Sequence, residues 1–107
     1  MTYNGKEIKI EYTEFPDGVH RFCKGFVVED KDDFLIGIDS RNAPIVQRYV
    51  LGHELAHIFL GHELPYISEY INMQKEHKAM EREANKQSWV YYRLYRDSLD
   101  RATELPR

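Results

Sequence analysis

At 107 residues the chain is sized for one domain rather than two, and its 42% hydrophobic content makes it globular rather than disordered. A net charge of −3 offers no basic face to a phosphate backbone, so direct nucleic-acid binding is not expected. A single cysteine, Cys23, rules out an internal disulfide and reads as a small buried hydrophobe in a strand, while MTYNGKEIKI carries no apolar run; the expectation is a cytoplasmic protein with no signal, lipid anchor or membrane span.

In chain order, KEIKIEY at 6–12 alternates charged and apolar residues, as a half-buried strand does. Pro16, Asp17 and Gly18 mark a turn, and HRFCKGFVVED at 20–30 is a second strand rich in Phe and Val. Lys31, Asp32 and Asp33 make a polar turn before a third strand, FLIGIDS, at 34–40. The pattern becomes helical after residue 42: Asn42 or Ala43 caps, Pro44 suits the first turn, and Gly61 suits the stop. Val46, Val50, His53, His57 and Leu60 share one face of that helix. Residues 62–74 contain Pro65 and little periodicity, which predicts a loop or an irregular short helix. A second long helix is predicted over 76–99, with a seam of Met80, Ala84, Ser88, Tyr91 and Tyr95. The fold class is α+β: a small antiparallel sheet followed by two long helices, in a single domain over 1–107.

HELAH at 53–57 carries the chemistry. Four residues of helix rise about 6 Å and leave the two ends within about 40° of alignment, so His53 and His57 project from one face. Their imidazoles can converge on one ion, while Glu54, about 100° around the helix, is free to reach the water at an open position. There it can act as general base, taking the proton as that water attacks a peptide carbonyl, and later return the proton to the leaving amine.

A third ligand is needed. His62 lies about 180° from His53 on an ideal helix and points away unless Gly61 ends the helix and turns the chain back. The better candidate is Glu81 in EREAN, 24 residues after His57, with Asn85 one turn on to orient a ligand from behind. Ala84 is small enough to let two helices approach, and Glu83 falls on the solvent side.

A strand, a helix carrying HELAHIFLGH, a loop and a helix carrying E-x-E-A-N together resemble the ImmA/IrrE family of zinc metallopeptidases, over about Phe34 to Asn85. The resemblance implies a zincin-like, gluzincin-type domain with one zinc ion held by His53, His57 and Glu81, and Glu54 as the catalytic residue. It also implies a cytoplasmic bacterial or phage protein whose substrate is another protein, typically a helix-turn-helix repressor of a mobile element. The chain departs from the family after EREAN, where KQSWVYYRLYRD replaces the usual Phe-Ala and apolar run.

Tyr66, Tyr70 and His77 are weaker candidates for stabilising an oxyanion, and Trp89, Tyr91, Tyr92 and Tyr95 read as packing. The strand at 34–39 is a candidate edge for an extended substrate. The rival to an endopeptidase is a non-catalytic, zinc-stabilised interaction module, against which the intact Glu54 argues.

Overall fold

The computed structural model describes residues 1–21, 23–62 and 75–104, with side chains at 75–78 and 100–104 left aside. Two short strands open the chain: β1 (Thr2–Tyr3) and β2 (Lys6–Thr13) form an antiparallel hairpin whose two-residue turn is Asn4-Gly5. A single helical turn, α1 (Asp17–His20), leads to β3 (Gly25–Glu29) and β4 (Asp33–Asp39). The long helices are α2 (Pro44–Phe59) and α3 (Lys75–Glu104).

The sheet order is β1-β2-β4-β3, and it is mixed rather than antiparallel as expected. β3 and β4 pair antiparallel, but β2 runs parallel to β4, with Ile8 opposite Phe34 and Ile10 opposite Ile36. The reason lies in the connection: the stretch through α1 carries the chain past β4's place, so β4 returns between two earlier strands. Alternation in β2 fixes which face is buried but says nothing of a partner's direction. β4 is therefore central, with Ile36–Asp39 all buried, and the expected edge at 34–39 is corrected: the edges are β1 and β3. The strand predicted over 20–30 begins only at Gly25, because 17–20 form the helical turn.

The domain has three layers. α2 lies between the sheet and α3, which is why nearly every residue from Val50 to Ile58 is buried and no single face dominates. Val27, Ile36 and Ile38 of the sheet meet Leu51, Leu55 and Ile58 of α2, each burial contributing about 1.5–3 kcal/mol. α3 comes close because of Gly52. A Cβ there would lie 1.8 Å from the carbonyl oxygen of Ser88, so only glycine permits this crossing. Ala84 and Ser88, both buried, complete the small-residue contact that the sequence assigned to Ala84 alone.

Behind the sheet, buried Asp39 accepts hydrogen bonds from the main-chain N–H groups of Phe15 and Arg41 and pairs with the His20 ring. Burial alone would raise the Asp39 carboxyl; the His20 bond and the two main-chain bonds outweigh it and hold the group below its ordinary value.

Candidate metal centre

His53 and His57, one turn apart on α2, place their Nε2 atoms 3.1 Å from each other. α3 delivers Glu81 to the same point: Oε1 is 3.0 Å from His53 Nε2 and Oε2 is 3.4 Å from His57 Nε2. Ligands on a tetrahedral zinc with bonds of about 2.0–2.1 Å stand about 3.3–3.4 Å apart, so the spacing is that of a ligand set. The three residues form the group placed to hold a metal ion among the described residues.

The electrostatics agree. Desolvation pushes His57 below its ordinary value, outweighing the opposing pull of Glu81, and so keeps the imidazole in the neutral form that can ligate. Burial would raise the Glu81 carboxyl, but the two imidazoles beside it hold it down to about 2. Glu81 Oε2 is nevertheless buried without a hydrogen bond among the described residues, an acceptor aimed where a cation would satisfy it.

The helical position predicts a solvated His62; its side chain is instead only 7% exposed, and it does not join the ligand cluster. Gly61 adopts a left-handed φ of +72°, which ends α2 and swings His62 back. Its Nδ1 lies 2.8 Å from His57 Nδ1, and its Nε2 lies 2.6 Å from Glu83 Oε1. With both rings neutral, these contacts place the protons of His62 and His57. Glu83 only accepts, so His62 carries its proton on Nε2 and presents a lone pair on Nδ1. A His57 that donates from Nδ1 turns the lone pair of its Nε2 toward Glu81 and His53, the tautomer a metal ion selects over the Nε2–H form that bonds Glu81. Glu83, half exposed and placed by sequence on the solvent side, thus closes a carboxylate–His–His chain behind the site. The signal was present in the glycine before His62, but its reach depended on that one backbone angle.

Glu54 is buried in the next position of α2, with Oε1 over Gly25 at the start of β3. Asn85 accepts a hydrogen bond of 2.8 Å from the Tyr49 hydroxyl, and both line a cleft of about 330 Å³ with His53, Glu81 and Trp89. Tyr66 and Tyr70 lie outside the described residues, as does the side chain of His77.

An α+β domain that brings two helix-borne histidines and a glutamate together at the mouth of a cleft defines a candidate metalloenzyme. Residues 18–87 match the family model for peptidase M78, the IrrE N-terminal-like domain, and the chain belongs to this family of metallopeptidases. No curated protein and no solved structure matches the chain. No helix among the described residues is long and apolar enough to cross a membrane.

Proposed function

We propose that this domain is a zinc-dependent endopeptidase of the zincin-like, HExxH type, acting in the cytoplasm on a regulatory protein, with a helix-turn-helix repressor of a phage or mobile element as the leading substrate. The observation that carries it is the convergence of His53, His57 and Glu81 beside a buried glutamate, Glu54, in a chain of the M78 family. Two imidazoles and a carboxylate are the protein ligands of known catalytic zinc sites, and a zinc ion held by His53, His57 and Glu81 would supply Lewis acidity.

The chain's own residues do the rest. Glu54 takes the proton of the attacking water and hands it to the leaving amine. Glu83 and His62 keep His57 in its ligating tautomer. Asn85 holds Tyr49 against the wall of the cleft. Of the two edge strands among the described residues, β1 and β3, it is β3 that starts beside Glu54, so an extended substrate adds there as a further strand.

Glu54→Gln tests the reading. It should keep zinc and the fold and lower cleavage of a repressor substrate by at least about a hundredfold, the lower end of general-base contributions. A variant that loses zinc instead makes Glu54 a ligand. A wild-type protein that binds its partner tightly, never cuts it, and binds equally well with Gln at 54 is an interaction module.

A further inference from the structure

Beside the metal-side cleft lies another cavity, of about 320 Å³, lined by Arg48 of α2, by Arg93 and Arg96 of α3 and by Trp89 and Tyr92. Among the described residues none of the three arginines has a carboxylate within ion-pair distance, and Asp97, on the same helix, is bonded to none of them. Three guanidinium groups from two helices thus share one concave site, in a chain whose net charge is −3. Their mutual repulsion is relieved by an anion, and guanidinium groups bind carboxylates in paired hydrogen bonds.

This cavity adjoins the cleft of the metal centre, since Ile45 and Trp89 line both. A run of aromatic rings spans the border between them: Tyr49 stands 6.4 Å from the His53 ring and 5.8 Å from Trp89, and Trp89 stands 6.0 Å from Tyr92. Along α3, Arg93 and Arg96 are 12 and 15 residues beyond Glu81, or about 18–22 Å at a helical rise of about 1.5 Å per residue. An extended peptide covers that distance in about five to seven residues.

We propose that the cleft runs on into a subsite for acidic side chains, so that the substrate carries aspartate or glutamate about five to seven residues from the bond that is cut. The proposal rests on the peptidase reading for its geometry, because the acidic segment and the scissile bond belong to one chain. Side-chain carboxylates fit better than a nucleic-acid backbone: three arginines in one pocket of an acidic protein do not make the long basic stripe that successive phosphates require.

Trp89 is the chain's single tryptophan and reports directly on the site. Hexaglutamate titrated into the protein, with and without zinc, should change its fluorescence saturably. The response should fade with added salt and be absent with hexalysine. The double variant Arg93→Gln/Arg96→Gln should weaken binding on the order of tenfold, and Arg48→Gln about threefold. Hexaglutamate that gives no saturable signal, or that binds the double variant as it binds the wild type, overturns the subsite. So does a single-stranded oligonucleotide that displaces hexaglutamate and binds more tightly. Binding decides the subsite whether or not a peptide is cut: zinc-loaded protein that binds hexaglutamate but cleaves no repressor counts against the peptidase reading alone.

Discussion

Gly52→Ala tests whether the helix crossing, rather than the ligand residues alone, makes the metal centre. The added methyl would sit 1.8 Å from the Ser88 carbonyl oxygen and 2.7 Å from its carbon, and both are main-chain atoms that no rotamer change can move. Ordinary contact requires α3 to retreat by about 1.6 Å. Glu81 lies two turns up α3 from Ser88 and must follow, whereas a metal site tolerates only about 0.2 Å in its ligand distances. Overpacking of this kind costs about 1–3 kcal/mol, a large part of a small domain's stability. The variant should therefore melt at a lower temperature and lose zinc affinity, measured by competition with a chromophoric chelator, by at least tenfold on the scale of outer-shell losses, about 10–100-fold. Gly18→Ala, where nothing lies within 4 Å, serves as the control and should leave both unchanged. A Gly52→Ala protein with wild-type zinc affinity and melting temperature would refute the argument that this contact sets the position of Glu81.

Further outcomes follow from the site and the fold. His53→Ala and His57→Ala should each abolish stoichiometric zinc binding by metal analysis; full occupancy in both would remove the centre. Glu81→Ala should weaken zinc binding most, while Glu83→Ala and His62→Ala should each weaken it about 10–100-fold by releasing the His57 tautomer, and calorimetry that ranks Glu83→Ala as silent would break that chain. The Asp39 carboxyl is held below its ordinary value near 3.8, so its contribution to stability is present above that pH and is lost as the pH falls through the lowered value. Acid unfolding followed by circular dichroism should show this loss, and Asp39→Asn, which cannot titrate, should melt lower at neutral pH and lose less on acidification.

Some of this could be read without coordinates. The pairing of His53 with His57 was legible because a helix fixes the relation of residues four apart, whatever surrounds it. Glu81 needed the companion motif EREAN, since spacing alone cannot say that a helix returns to a given point. The limits of the helices followed from Pro44 and Gly61, and α3 ran only a few residues beyond its expected ends. Strand order did not follow, because β2's alternation is the same for a parallel or an antiparallel neighbour. The Asn4-Gly5 turn is a strong hairpin signal, but β1 is two residues long and left no pattern of its own. Gly52 reads as an ordinary helix residue until Ser88 is seen against it. Arg48, Arg93 and Arg96 are scattered in sequence, and only the packing of α2 on α3 gathers them.

The position of β3 at the border of the sheet carries a hazard as well as an opportunity. A row of unpaired N–H and C=O groups that accepts one extended segment will accept another, including the β3 of a second molecule, and such borders seed aggregation. The strand is short, five residues, which limits how far two copies could zip together. It ends in Glu29 and is followed by Asp30, Lys31 and Asp32, with Asp33 opening β4, and the surplus of negative charge there repels an identical neighbour aligned in parallel. Replacing those acids by neutral residues would be expected to lower solubility before it touched the fold, which makes the turn after β3 a gatekeeper for a border that has to stay open.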